Sequence, residues 1–415
     1  MSKLEDLIQK LCPNGVEWKE LGELGFLFSG LNGKSKKDFE NGNQRFITYM
    51  NVFSNLELDI DINDKVLILD NEKQNTLLYG DIIFTASSET REECGISSVM
   101  TKKTNDKLFL NSFCFGFRFN DVNIMLPGFS KYLFRANFIR KQIVRTASGV
   151  TRFNISKEKM KQIKIPIPPL EIQEEIVHIL DSFTELTNEL TNELTARRKQ
   201  YEHYRDSLLT FGNEVEWKEL EEFATVIRGG NFQKKDFKTE GVPCIHYGQI
   251  YTKYGLKTDK TITFLDEKIA SKSKMAKKND IIMAVTSENI EDVCKCLSWL
   301  GDKDVAISGH TAIIKHNQNS LYLSYYFHTE MFYKQKLKLA HGTKVIEVTP
   351  SSLLNIKIPL PPLPEQERIV SILDKFDSLC NDITKGLPAE IEARKKQYEY
   401  YRDKLLTFKN ISENK

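Results

Sequence analysis

From Glu171 onward apolar residues recur at helical spacing: Ile172, Ile176, Leu180, Phe183, Leu186, Leu190, Leu194, Tyr201, Tyr204 and Leu208. Steps of three, four and seven place them on one stripe of an α-helix. No Gly or Pro interrupts the run before Gly212. The pattern therefore predicts one helix of about 40 residues, roughly 60 Å long. Pro166, Pro168 and Pro169 hold extended backbone just before it. A second stripe, Ile369, Ile372, Leu373, Phe376, Leu379 and Ile383, follows Pro359, Pro361, Pro362 and Pro364. Gly386-Leu387-Pro388 should break or kink this helix, and Ile391, Tyr398, Tyr401 and Leu405 carry a further helical segment to Phe408. A helix so long protrudes from a small domain and needs a partner for its stripe. Packing the two against each other as an antiparallel coiled coil, under pseudo-two-fold symmetry, supplies one.

Segments 16–165 and 215–358 have a different pattern. Runs 66–69, 81–84, 113–119, 280–285 and 306–314 are β-rich and bounded by polar residues or Gly, whereas 132–143 and 323–337 have helical spacing. Each segment is expected to be a mixed α/β unit, of a usual size for one domain.

The two halves are copies. Val16-Glu17-Trp18-Lys19-Glu20-Leu21 recurs as Val215-Glu216-Trp217-Lys218-Glu219-Leu220. Ile163-Lys164-Ile165-Pro166 recurs as Ile356-Lys357-Ile358-Pro359, and Lys199-Gln200-Tyr201-Glu202 as Lys396-Gln397-Tyr398-Glu399. Tyr204-Arg205-Asp206 returns as Tyr401-Arg402-Asp403. The period is near half the chain, which means duplication of a domain rather than a solenoid. Between Leu21 and Ile163 the copies agree only weakly, as expected for a shared scaffold bearing two different readers. Within the first long helix Thr187-Asn188-Glu189-Leu190 is repeated at once as Thr191-Asn192-Glu193-Leu194. Each such unit adds about 6 Å of helix.

Composition narrows the function. The chain has 415 residues, 40% hydrophobic and 28% charged, and no apolar run long enough for a bilayer. The stretch from Met1 to Gln9 has no apolar signal core, so no export is expected. The seven cysteines are odd in number and scattered, as free thiols of a reducing cytosol would be. Net charge is only +2, yet basic clusters are local: Lys34, Lys36 and Lys37; Arg135, Arg140, Lys141, Arg145 and Arg152; Lys234, Lys235 and Lys238; Lys334, Lys336, Lys338 and Lys344. Gly149-Val150-Thr151-Arg152 and Gly342-Thr343-Lys344-Val345 occupy equivalent places, each a Gly-led loop bearing a cation suited to phosphate. Ser29 to Ser35 lacks the leading Gly of a phosphate-binding loop, Phe28 standing there. Ile167-Pro168-Pro169 and Leu360-Pro361-Pro362 lack the polar leader of an adenine-methyltransferase tetrapeptide, and the seven histidines form no ligand-spaced cluster. No catalytic residue and no metal ligand is expected.

The duplicated Trp-Lys-Glu-Leu openings, the Ile-Pro-x-Pro-Pro-Leu transitions at 165–170 and 358–363, the helix starts at Gln173 and Gln366, the Lys-Gln-Tyr-Glu endings and the tandem tetrapeptide resemble the DNA-specificity subunits of Type I restriction-modification systems. The stretch Gly386 to Arg394 is similar too, and the resemblance covers essentially the whole chain. It implies an α+β fold with two target-recognition domains in pseudo-two-fold arrangement, separated by two long antiparallel helices forming a coiled coil. The expected organisation is an N-terminal helix at 1–15 completing a circular repeat, recognition domains at 16–165 and 215–358, a central helical spacer at 166–212 and a helical region at 359–410.

The resemblance further implies a cytoplasmic, non-catalytic subunit that reads a split, asymmetric site on double-stranded DNA. Two methyltransferase subunits using S-adenosylmethionine would dock on its helices, and translocase-endonuclease subunits using ATP and Mg2+ would join them; the chain itself would hold no cofactor. DNA-contact candidates are Lys34, Lys36, Lys37, Asn41, Asn43, Gln44, Arg45 and Arg152 in the first half and Asn231, Gln233, Lys234, Lys235, Gln249 and Lys344 in the second. Docking candidates are Tyr201, Tyr204, Arg205, Tyr398, Tyr401 and Arg402. Two other readings stand beside this one: a self-sufficient nuclease on the same duplication, and a coiled-coil scaffold with no DNA role.

Overall fold

The structure, a computed structural model, describes residues 3–382 and 385–414; expectations placed on Met1 and Ile383 lie outside them. The chain divides into two compact units, Met1–Glu189 with Glu392–Lys415, and Leu190–Ile391.

The repeated motifs turn out to be one another's partners. In the first unit strand Glu17–Glu20 runs antiparallel to Lys164–Ile167, with Trp18 opposite Pro166 and Glu20 opposite Lys164. In the second unit Trp217 lies opposite Pro359 and Glu219 opposite Lys357. Each globular body is thus closed at a two-stranded neck of the same register. Both strands of such a neck are edges, so the prolines remove no ladder hydrogen bond from a sheet interior.

Beyond the neck of the first unit lies an antiparallel sheet in the order Gly25–Ser29, Cys114–Phe119, Ile82–Thr85, Ser97–Val99. A three-stranded sheet sets Gln44–Ile47 between Lys65–Val66 and Leu108–Leu110. A small one sets Phe153–Ile155 between Ala147–Ser148 and Ser87–Ser88. The second unit has a five-stranded sheet, Ala224–Arg228, Thr311–His316, Ile281–Ala284, Cys296–Trp299, Lys257–Thr258. Its four-stranded sheet runs Thr263–Leu265, Val242–Ile245, Val305–Ile307, Lys274–Ala276. The mixed α/β character expected for each half is present in both.

Three apolar runs contain breaks that spacing did not reveal. Residues 306–314 are the end of one strand and most of another, with a turn at Ser308, whose carbonyl accepts from Thr311 N at 3.1 Å. The helical pattern at 132–143 is likewise split between Pro127–Leu133 and Asn137–Arg145, and that at 323–337 between Ser320–Tyr326 and Glu330–Leu339. Both pieces of each pair face one core, so hydrophobic periodicity runs through the break. Thr329 caps its new helix, accepting from Phe332 N at 3.2 Å. Ala136 has no side chain for that job, and Asp403 does it instead, accepting from Asn137 N at 2.9 Å.

Helix Leu170–Leu208 is continuous over 39 residues. The second helical region is two helices, Leu363–Asn381 and Leu387–Leu406, interrupted where Gly386 and Pro388 were expected to act. In the first unit Ile172, Ile176 and Leu180 are fully buried in the same core as Leu4, Leu406 and Phe408. The C-terminal segment also pairs with the start of the neck, Val16 N donating to Lys409 O at 2.9 Å. In the second unit Ile369 and Leu373 share a core with Tyr201 and Leu209.

A buried glutamine joins helix to body in both units. Gln173 accepts from Leu126 N at 2.8 Å and donates to Ile124 O and Pro168 O at 3.1 and 2.8 Å. Gln366 accepts from Asn319 N at 3.1 Å and donates to Gln318 Oε1 and Pro361 O, both at 2.8 Å. A tyrosine–aspartate pair reinforces each joint, Tyr132 Oη to Asp181 at 2.5 Å and Tyr325 Oη to Asp374 at 2.6 Å. Gln173→Ala or Gln366→Ala strands a buried backbone N–H and two carbonyls. Each should lower unfolding free energy by about 1–3 kcal/mol, read as a shift in urea midpoint at unchanged slope.

Candidate nucleic-acid interface

The basic loop of the first unit divides on inspection. Lys34 has a side chain only 4% exposed, bound to the Glu72 carboxylate at 2.5 Å. Asn43 grips the backbone of Ile68 in both directions, donating at 3.0 Å and accepting at 2.9 Å. Arg45 is taken up by Ile60 O and Asp106, and Gln44 is half-buried on its strand. These side chains finish the fold. Lys36, Lys37 and Asn41 remain exposed. The two lysines ride on the single turn Lys36–Phe39, fixed by a capping box in which Ser35 N donates to Asp38 at 2.7 Å. Hydrogen bonds from the Ser35 backbone and hydroxyl hold the Asp38 carboxyl below its usual range.

The arginines expected as a surface cluster separate the same way. Arg135 donates to the carbonyls of Ser97 and Asn55 at 2.7 and 3.1 Å. Arg140 gathers the carbonyls of Glu92, Cys94 and Gly95. Burial pushes both guanidiniums down to about 10. Lys336 does the same work in the second unit, donating to Glu291 O and Val293 O at 2.8 Å. Arg152, by contrast, stands exposed at the hairpin of Ala147–Ser148 and Phe153–Ile155. It overlooks a cleft of about 460 Å³ walled by Tyr49, Phe53, Phe113 and Glu93.

In the second unit the predicted Asn231, Gln233 and Lys235 line a concavity of about 730 Å³ together with Lys268, Lys272 and Lys274. All four lysines are exposed, and none forms an ion pair among the described residues. The floor is tight: a Cβ on Gly230 would lie 2.6 Å from Ser273 Cα. Sequence reading missed Lys268, Lys272 and Lys274, because only the order of the four-stranded sheet brings 268–274 beside the loop at 230–235. Lys234 and Lys344 are exposed as well. Gln249 is engaged internally, accepting from His246 N at 2.9 Å and donating to Thr263 Oγ1 at 3.0 Å. Burial pushes His246 down to about 4, with Lys234 and His310 adding repulsion, so this imidazole is neutral near pH 7.

The six helix candidates hold their own units together. Tyr398 meets the edge of Tyr132 at 6.2 Å, Tyr401 stacks on Phe183 at 5.3 Å, and Arg402 lies buried over Tyr398. Tyr201 is buried under Arg205, and Tyr204 stacks on Phe376 at 5.2 Å while staying 41% exposed. Among the described residues no cluster of three or more His, Cys, Asp or Glu is placed to hold a metal, and no helix is long and apolar enough to cross a membrane.

The chain is similar to known proteins along most of its length. The Type I restriction modification DNA specificity domain matches twice, at residues 13–197 and 213–393. A Haemophilus influenzae protein named as a type I restriction enzyme specificity subunit is 36% identical over 288 residues, 67% of this chain and 71% of that one. The EcoR124I/EcoR124II specificity subunit of Escherichia coli is 39% identical over 267 residues, 61% of this chain and just under two thirds of its own, 65%. A chain from a structure of complex assembly and conformational transition in the type I R-M system has a like fold, with TM-score 0.65 at 20% identity, covering 96% of this chain and 98% of that one.

Arg140→Met deprives three carbonyls of their donor and should cost about 2 kcal/mol or more of stability. The double change Lys36→Ala with Lys37→Ala should stay within about 0.5 kcal/mol of the parent. Urea denaturation of the three proteins side by side checks the distinction.

Proposed function

Because this chain belongs to the Type I restriction-modification DNA specificity family, we propose that its two units read the two halves of one split, asymmetric site on double-stranded DNA and deliver modification and restriction subunits to it. Sequence recognition within a Type I restriction-modification system is the family's role, and the specificity subunit is not itself the catalyst. The observation that carries the two-half reading is the duplication itself: two copies of one neck and one helix joint, each bearing a different polar face. Identical halves would read a symmetric site; these read different sequences. In this reading two methyltransferase subunits, using S-adenosylmethionine, dock along the helices, and translocase-endonuclease subunits use ATP and Mg2+. The subunits work in the cytoplasm, where the DNA is.

The helices set the gap between the half-sites. Support comes from the unbroken helix Leu170–Leu208 and from the position of the tandem tetrapeptide, which spans the boundary between units at Glu189 and Leu190. Linking two weak readers by a stiff spacer raises affinity through effective concentration and makes the gap part of the specificity. Co-expression with a modification subunit, followed by single-molecule mapping of N6-methyladenine, should reveal a single bipartite motif. Deleting 191–194 removes about 6 Å of helix and should alter the gap while leaving both half-sites unchanged. Absence of any new motif from an intact complex would remove this function.

Phosphate contact in the second unit is assigned to Lys235, Lys268, Lys272 and Lys274. Replacing the last three by Gln should weaken binding evenly across DNA sequences and reduce the slope of log K against log salt by up to about 3, each contact contributing roughly 0.9. A fluorescence titration at several salt concentrations measures that slope.

A further inference from the structure

We infer that Arg152 reads a guanine in the half-site bound by the first unit. The inference rests on the DNA-recognition reading above and assigns its chemistry to one side chain.

The seven arginines of residues 16–165 are occupied in different ways. Arg118 is clamped to Asp81 by two hydrogen bonds of 2.7 Å and to Thr76 O by a third. Arg45, Arg135 and Arg140 are used on carbonyls or a carboxylate of the fold. Arg91 and Arg145 are exposed without an anchoring contact among the described residues. Among these seven, Arg152 alone combines anchorage with availability. Its Nε donates to Ser87 Oγ at 3.2 Å, and its guanidinium lies over the Phe113 ring, 5.5 Å from the centroid. Nη1 and Nη2 make no hydrogen bond within the described residues. The stem is held, and the two terminal nitrogens are left as a planar pair of donors, matching O6 and N7 of guanine.

The surroundings suit insertion into a groove. Ser87 is buried on a strand paired with the hairpin, Ser87 opposite Asn154. The tip is held tightly by Gly149: its φ is +144°, and a Cβ there would lie 2.0 Å from Arg152 O. A β-hairpin is narrow enough for the major groove. Val150 at the tip is 90% exposed and Phe113 53% exposed, apolar surface that the unit itself leaves uncovered. The equivalent hairpin of the second unit bears Lys344 and Val345, which offer no planar pair of donors, so the prediction is confined to one half-site.

The test uses the full chain co-purified with a modification subunit and maps the methylated motif of the parent and of Arg152→Gln. One guanine position in one half-site should become degenerate, with discrimination there falling roughly 5- to 150-fold and the other half-site and gap retained. An unchanged motif, or an even loss at all sites as a phosphate contact would give, overturns the inference. If the variant methylates nothing, its binding to duplexes with each half-site guanine replaced in turn decides: lost discrimination at one guanine supports guanine reading, and parental discrimination at every guanine overturns it. Binding of the parent complex to duplexes carrying 7-deazaguanine, which lacks N7, gives an independent reading. Loss at one guanine of the half-site supports the assignment, and indifference at every guanine overturns it. A parent complex that yields no bipartite motif would instead sink the broader function.

Discussion

The chain enters and leaves each globular body through one two-stranded neck, and a buried glutamine at the next helix start bonds back into that body. The rest of the structure depends on this joint. Its ladder fixes the two ends of about 150 residues against each other, so closure of that long loop is settled at the neck rather than along its length. Gln173 and Gln366 then satisfy prolyl carbonyls that cannot join a helix, together with a backbone N–H at the edge of the domain. A polar group buried at such a place stabilises only when all its partners are present, which makes the joint geometrically strict. Everything between the necks is released from that strictness and can vary, provided it still buries a core.

That freedom shows in the electrostatics. The net charge of +2 conceals two populations of cations. One is engaged by the fold: Lys34, Arg45, Arg135, Arg140 and Lys336 satisfy carboxylates or backbone carbonyls. Another faces solvent without an ion pair among the described residues and is distributed differently in the two units, as a lysine-lined concavity in the second and a hairpin arginine beside an aromatic cleft in the first. Lysines, as compact point charges, suit phosphates whatever the sequence; an anchored guanidinium suits one base edge. The two units therefore differ in the kind of exposed cation they carry, beyond differing in sequence.

The repeat, the long helix, its stripe and the break near Gly386 were all legible in the linear chain. So was the importance of Gln173 and Gln366 as markers of helix starts, although not their bonding. Strand and helix breaks at Ser308, at 134–136 and at 327–329 were not legible. Their residues remain on the core side, and apolar periodicity is blind to a change of direction that keeps the same face inward. The candidate site was half legible. Lys36, Lys37, Lys235 and Arg152 could be picked as basic loop residues, but Lys34 and Arg45 are equally basic, Asn43 and Gln249 carry the same amides as Asn231 and Gln233, and all four are consumed by the fold.

The sequence by itself determined the duplicated architecture and the family, because those are carried by order, spacing and hydrophobic period, which are properties of neighbours along the chain. Tertiary structure alone decided which polar side chains are free to meet DNA. A cation's availability is set by whether a carbonyl or carboxylate far away in sequence lies within about 3 Å of it. Sheet order brought Lys268, Lys272 and Lys274 beside the loop at 230–235, and strand pairing gave Arg152 its anchor on Ser87.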